Sequence, residues 1–319
     1  MKILLWHVHG GWMDSFVRGQ HQYLLPAVPG GGPWGLGRGG RAWPENVVDV
    51  DLPSLHEADI DAVVLQRLEE IHVVERLTGR RPGKDLPAVF VEHNTPKGAV
   101  PTNVHPLAGQ RNIPVVHVSH FNRLMWDMEG SVTTVVEHGV PDPGPLYTGK
   151  LAEQGVVINE PVRRGRVTGT DLLPGFVHAG PIAVFGMGGQ SLAASLGLGP
   201  EQLRWAGDLP PHLMHPLLAQ RRLYLHPLRW TSLGLSLIEA MLMAMPVVVL
   251  DCTEASRAVP PEAGAISTDV SELVRAARAL MNDPEEAARR GKHAREAALR
   301  RYSLDRFLAD WDRLLCELP

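Results

Sequence analysis

Short apolar runs alternate with segments of helical period along almost the whole chain. Residues 3–8 (ILLWHV), 62–66 (AVVLQ), 88–91 (AVFV), 114–118 (PVVHV) and 132–136 (VTTVV) have strand length. Their near-continuous Val and Leu suit parallel strands buried on both faces. Between them, Leu68, Ile71, Val74 and Leu77 recur at helical spacing and predict a helix over Gln66–Leu77. The pattern pauses at residues 141–145 (PDPGP) and the polar stretch to Gly155, which reads as a linker, and then restarts. Residues 155–158, 182–185, 203–206, 222–225 and 246–250 read as a second set of strands, with helices at 236–244, 271–282 and 284–301. In a last helix, Leu304, Phe307, Leu308, Trp311, Leu314 and Leu315 form one apolar stripe, with Ser303 as N-cap and Asp305 in the first turn. Strand–helix alternation predicts an α/β fold of two doubly wound, Rossmann-like sheets. The expected division is 1–150, 151–302 and a terminal helix over 303–319.

One segment breaks the pattern. Residues 26–45 (PAVPGGGPWGLGRGGRAWPE) are rich in Gly and Pro, as in a mobile functional loop or a disordered stretch; Trp34 and Trp43 favour a lid.

Bulk properties narrow the function. A chain of 319 residues fits two domains, and a net charge of −4 argues against nucleic acid as main partner. Arg far outnumbers Lys, a bias without functional weight. Cys252 and Cys316 form neither a metal spacing nor a disulfide framework, so reduced thiols in a cytoplasmic protein are expected. The apolar start MKILLWHV is too short for a signal peptide and reads as a first buried strand. No run approaches the ~20 apolar residues that span a bilayer, so stable membrane insertion is not expected. The oligomeric state is not readable.

Several motif matches carry little. The G-x-G-x-x-G at 35–40 follows no strand and opens no helix, so a dinucleotide site is not supported. Asp49 and Asp51, and Asp59 and Asp61, match the D-x-D metal pattern but read as solvated loop or strand-edge acids. His7 and His9 share a strand face without a third ligand at recognisable spacing, so no metal site is expected. No nucleophile elbow is present.

Residues 226–251 (HPLRWTSLGLSLIEAMLMAMPVVVLD) differ. A glycine turn at Gly234 opens a helix from Ser236 to Met245, Pro246 ends it, and a buried strand follows. Free N–H groups at such a helix start form an anion site suited to a diphosphate, with Glu239 about one turn in, where it can bind a ribose diol.

This segment resembles the donor-binding signature of retaining GT-B glycosyltransferases, in particular family 4. That signature reads roughly E-G-F-G-L-x-x-x-E-A-M-A-x-G-x-P-V-V, against TSLGLSLIEAMLMAMPVV at 231–248. Pro227-Leu-Arg-Trp230, Gly186 and Gly207-Asp208 after strands, residues 114–141, and the tail from Arg289 to Leu315 are similar in order. The histidine of Glu92-His93-Asn94 matches the family's N-domain histidine.

The resemblance implies two domains facing a central cleft, with the last helix crossing back to the first. It implies retaining, metal-independent transfer of a hexose-type sugar, without a cofactor, from a nucleotide-sugar to a hydroxyl of a small-molecule or glycan acceptor. UDP- and GDP-linked donors are favoured. Glu239 would bind the ribose, and Gly234, Leu235 and Ser236 would offer backbone donors to the phosphates and sugar. His93 would reach the donor sugar from the other domain. Gly10 and Gly11, in the loop after the first strand, would admit the diphosphate and acceptor, and Gly186 would line the donor site.

Two positions depart from the family. Thr231 stands where the first Glu of the paired-carboxylate motif is expected. In the diphosphate clamp, Thr168 replaces the usual Lys before Gly169, while Arg163, Arg164 and Arg166 lie close by. Guanidinium groups are good bidentate phosphate partners, so a rearranged clamp through Arg164 and Arg166 is the favoured reading over a solvated basic loop. A degenerate GT-B module that binds a nucleotide or partner without turnover is the alternative that Thr231 leaves open.

Overall fold

The computed structural model describes residues 1–318; Pro319, the last residue of the expected 303–319 segment, lies outside them. The chain divides into two units, Met1–Pro141 with Leu304–Pro319, and Asp142–Ser303. The change falls at Pro141/Asp142 rather than at 150/151. Asp142 binds the Arg295 guanidinium through both carboxylate oxygens (2.8 and 2.6 Å), and the Tyr147 N–H donates to the Met243 carbonyl at 3.0 Å. Much of the expected linker thus belongs to the second unit.

The first unit carries β1 (Lys2–Leu5), β2 (Gln22–Ala27), β3 (Val47–Asp51), β4 (Ala62–Leu65), β5 (Ala88–Glu92), β6 (Val115–His117) and β7 (Thr133–Val135). They form one sheet in the order β3-β2-β1-β4-β5-β6-β7, all pairs parallel. Its helices are α1 (Gly10–Phe16), α2 (Glu70–Thr78) and α3 (His120–Met125). The second unit carries β8 (Leu151–Val157), β9 (Ile182–Phe185), β10 (Leu203–Gly207), β11 (Arg221–His226), β12 (Val247–Leu250) and β13 (Gly264–Ser267). Their order is β10-β9-β8-β11-β12-β13, again all parallel. Around them lie α4 (Pro161–Arg164), α5 (Leu173–Phe176), α6 (Leu192–Ser195), α7 (Pro211–Leu218), α8 (Leu235–Leu242), α9 (Ala255–Ala258), α10 (Val270–Asn282) and α11 (Pro284–Tyr302). The last helix, α12 (Leu304–Cys316), groups with the first unit.

Strands β2, β3 and β13 are additions to the sequence pattern. Pro26 interrupts the apolar run of β2 yet pairs in register with Val50, and the outward Asp49 and Asp51 of edge strand β3 leave few apolar positions. In β13 only Ala265 and Ile266 are apolar.

The stripe on α12 packs as expected. Phe307, Trp311 and Leu315 are buried in one core with Trp12, Phe16 and Tyr23. The Trp311 ring meets Trp12 edge-on at 5.6 Å and Phe16 at 5.0 Å. Losing such a buried aromatic costs about 3–5 kcal/mol, so α12 is part of this core rather than an appendage.

The Gly/Pro-rich segment is neither disordered nor a free lid; its polar and aromatic side chains anchor it. The Arg67 guanidinium lies 3.9 Å from the Trp34 ring centre, and the Trp6 indole donates to the Trp34 carbonyl at 3.2 Å. Asp14 accepts from Arg41 at 2.6 Å and from the Trp43 indole at 2.5 Å. The Arg38 backbone N–H donates to Asp49 at 2.8 Å, and its guanidinium reaches the Trp43 and Val47 carbonyls. Asp49 is therefore a loop anchor, and Asp51 accepts from the Ser54 hydroxyl at 2.5 Å. Composition signalled mobility, but Arg38, Arg41, Trp34 and Trp43 each find a partner.

Candidate functional site

Strand order reverses between β8 and β11, and in an open parallel sheet ligands bind outside the strand ends at such a point. The segment after β8 carries Arg163, Arg164, Arg166 and Thr168; the segment after β11 carries Thr231 and Gly234 and leads into α8. The Arg229 and Trp230 N–H groups both donate to the Val167 carbonyl, at 3.0 and 3.1 Å, so the two segments are joined backbone to backbone. Gly169 makes that approach possible. It sits at φ +70°, and a Cβ there would lie 1.9 Å from the Pro227 carbonyl oxygen.

The arginines are not equivalent. Asp171 takes both Nη atoms of Arg229 (2.5 and 3.0 Å) and also Arg166 (3.0 Å), and the Arg229 hydrogen bond holds its carboxyl below the usual range. Arg163 pairs with Glu160 at 3.2 Å and is largely exposed. Arg164 is half-buried, and among the described residues no carboxylate pairs with it. Burial, and next the neighbouring Arg163 charge, pull its guanidinium below the usual range. A partly desolvated cation without a counter-charge is a place where a bound anion gains most.

Thr168 faces inward. Its hydroxyl, fully buried, donates to the Gly165 carbonyl and shares a hydrogen bond with Thr170, both at 3.1 Å. It shapes the turn and does not take over the role expected of a Lys at this position. Gly186 directly follows β9 beside β8; a Cβ on it would come 2.6 Å from the Ile158 carbonyl, and its own carbonyl accepts from Trp205 at 2.8 Å.

Gly234 is the N-cap of α8, with no side chain capping the helix. Its lack of a side chain admits His226, whose Cε1 would lie 2.6 Å from a Cβ there. Leu235 and Ser236 form the first turn, and Glu239 lies in the second, facing the His215 imidazole at 3.4 Å with its side chain 21% exposed. Thr231 is half-buried. Glu254, whose N–H donates to the Ser232 carbonyl at 3.4 Å, does not stand in for a carboxylate at 231, because it is buried and held by Arg257 (3.0 Å) and Arg301 (3.8 Å).

In the first unit the order reverses between β1 and β4. Gly10 and Gly11 are not loop residues; they are the first two residues of α1, and Gly10 packs against Arg41. His9, which N-caps α1, stacks on His93 with ring centres 3.9 Å apart, and Trp12 meets His93 edge-on at 5.2 Å. Burial, then His9, then His138 hold the His93 imidazole well below its usual range, so the ring is neutral. His138 is pushed down to about 4 by burial and then by Arg306. Glu92 fixes the turn into His93: it accepts the Asn94 N–H at 2.6 Å and faces His105 Nε2 at 3.1 Å. Among the described residues no group of three or more His, Cys, Asp or Glu is arranged to hold a metal ion. No described helix is long and apolar enough to cross a membrane.

Sequence reasoning missed Asp171, Tyr224, His226 and the pairing of His9 with His93. Tyr224 and His226 lie two apart on β11 and so share a face, which strand alternation could have indicated. The Asp171–Arg229 pair rests on the adjacency of β8 and β11 and has no local signal.

Comparison with known proteins fits this geometry. Residues 178–283 match the family model described as "Glycosyl transferases group 1". A search of curated protein sequences gave no match. Among solved structures, sucrose-phosphate synthase from Thermosynechococcus elongatus is 13% identical with a TM-score of 0.74, covering 99% of this chain and 98% of that one. HepE of Anabaena, solved in complex with UDP-glucose, is 15% identical with a TM-score of 0.72 and 100% coverage of both chains. TarM of S. aureus, in a complex that includes UDP, is 17% identical with a TM-score of 0.57, covering 73% of this chain and 51% of that one. Identities this low speak for the fold, and the family model speaks for the second unit. The chain has the GT-B fold of two Rossmann-like units, and the second of them carries a group 1 glycosyltransferase domain.

Proposed function

We propose that this protein transfers a hexose-type sugar from a nucleotide-diphosphate donor to an acceptor hydroxyl, with retention at the anomeric carbon. The carrying observation is the half-buried, unpaired Arg164 at the end of α4, joined through Val167 to the segment that leads into the uncapped start of α8. In this reading Arg164, with Arg166 and Arg163 around it, stabilises charge building on the departing diphosphate. Leu235 and Ser236 offer N–H groups to the same anion, Glu239 takes the ribose, and Gly186 leaves room beside β8. Neutral His93 acts as a hydrogen-bond partner for a sugar hydroxyl. UDP-glucose in HepE and UDP in TarM make a UDP-linked donor the first to test, with GDP-linked donors next.

With arginines supplying the positive charge, neither a metal nor a cofactor is required. The acceptor is a small molecule or glycan, and the chain's net charge of −4 gives no support for nucleic acid. Free Cys252 and Cys316 fit a reducing compartment such as the cytoplasm.

The test is release of nucleoside diphosphate from a panel of nucleotide-sugars with mixed acceptors, with and without EDTA, and product anomer determined by NMR. Turnover unchanged by EDTA and an anomer matching the donor's support the reading; loss with EDTA or inversion sinks that part of it. A second reading is favoured by Thr231, where no carboxylate helps hold a sugar: nucleotide binding without turnover on the whole panel identifies a binding module instead.

A further inference from the structure

We propose that Tyr224 and His226 are positioning residues that fix the direction of the Ser236 hydroxyl, turning it into a donor to the diphosphate of the bound nucleotide. This rests on the nucleotide-diphosphate reading of the second unit and adds a side-chain contact to its backbone donors.

The argument follows the protons. Tyr224 Oη donates to Ser236 Oγ at 2.9 Å. A phenol has one proton, so the Tyr224 oxygen can then only accept from His226 Nδ1, 3.3 Å away. That assigns the neutral His226 proton to Nδ1. Burial independently keeps this imidazole neutral, pushing it down to about 3, and raises the Tyr224 phenol far above its usual range. Ser236 Oγ has now accepted one hydrogen bond and still holds its own proton. His226, Tyr224 and Ser236 therefore form a one-way chain, each group donating to the next, and such chains polarise one another.

The free end of the chain lies on the first turn of α8, beside N–H groups that no side chain caps, and Ser236 is half-exposed while Tyr224 is fully buried. Its last donor thus sits where the helix dipole already favours negative charge. Gly234 takes part as well. Its missing side chain lets the His226 ring sit against the turn, so the glycine of the motif and the first donor of the chain need each other.

Calorimetric titration of the full-length protein tests this with UDP and uridine, and with GDP and guanosine. Tyr224→Phe is expected to weaken the diphosphate about fivefold and leave the nucleoside within twofold, because only the preorganisation of one charge-assisted hydrogen bond is lost. Ser236→Ala is expected to weaken the diphosphate about tenfold, Ser236→Thr to retain most of the affinity, and the double variant to be no weaker than Ser236→Ala alone. Equal weakening of diphosphate and nucleoside by Tyr224→Phe overturns the inference, as does a Tyr224→Phe effect that persists in the Ser236→Ala background. If Tyr224→Phe does not fold, a Ser236→Ala protein with unchanged diphosphate affinity overturns it equally. A wild-type protein that binds neither diphosphate refutes instead the reading of the site on which the chain depends.

Discussion

Where strand order reverses, the first sheet presents His9 stacked on His93 beside Trp12, and the second presents Arg163, Arg164, Arg166 and Arg229 outnumbering Glu160 and Asp171. Both sheets are wholly parallel and reverse in the same way. The backbone thus supplies the same kind of place twice, and side chains alone decide what it suits. Neutral rings, with the buried His93 Nε2 and Trp12 Nε1 lacking a hydrogen-bond partner among the described residues, suit a ligand of hydroxyls and apolar faces. A cationic loop beside an uncapped helix suits an anion. The first unit keeps charge out by burial; the second collects it and leaves one arginine unmatched.

The largest expected effect concerns that arginine. Arg164→Ala should lower kcat/KM for sugar transfer by about 10²–10³-fold, the usual loss for one donor to developing negative charge. Arg166→Ala, already shared with Asp171, should cost no more than about threefold. Steady-state release of nucleoside diphosphate measures both, and equal losses would erase the distinction between paired and unpaired arginines.

In the first unit, His93→Phe keeps a ring against His9 and removes the hydrogen bond proposed to the sugar hydroxyl. It should lower kcat by about 30-fold, part of what one positioned proton donor or acceptor supplies, with nucleotide affinity unchanged within twofold. A matching fall in nucleotide affinity, read by titration, would place His93 on the nucleotide rather than on the sugar.

Near neutral pH the smallest effect is on stability, and it grows on acidification. His117 and His138 are each pushed down to about 4, chiefly by burial, from an ordinary 6.5. Above 6.5 neither the folded nor the unfolded chain protonates them. As pH falls from 6.5 towards 4, only the unfolded chain takes up their protons, so stability is lost on acidification, at up to about 1.4 kcal/mol per pH unit per histidine. Neither ring nitrogen of His117 has a hydrogen-bond partner. His117→Phe should therefore leave stability near pH 7 within about 1 kcal/mol and flatten the acid slope in urea unfolding. An unchanged slope would show that His117 does not carry it.

Much of this was legible in the chain, for identifiable reasons. Parallel strands buried in a sheet leave short apolar runs rich in Val and Leu, and runs of strand length marked ten of the strands; Pro26 and the outward Asp49 and Asp51 hid β2 and β3. The turn at Gly234 was legible because a glycine, a helix and a stop at Pro246 leave local marks. The partners of the arginines were not, because Asp171 meets Arg229 only once β8 and β11 lie side by side. The part Thr168 plays in the turn was not legible either, because its hydroxyl closes that turn from inside.

The course of the chain between the units bears on how the protein is made. The first unit begins at Met1 but takes its helix α12 from Leu304 onward, after the whole of Asp142–Ser303. Its core lacks Phe307, Trp311 and Leu315 until then. During synthesis from the N-terminus, the second unit is therefore available to fold first, though its sequence comes second, while Trp12 and Phe16 wait with part of their surface uncovered. Over that interval the nascent first unit keeps apolar surface exposed, the condition under which folding chains aggregate.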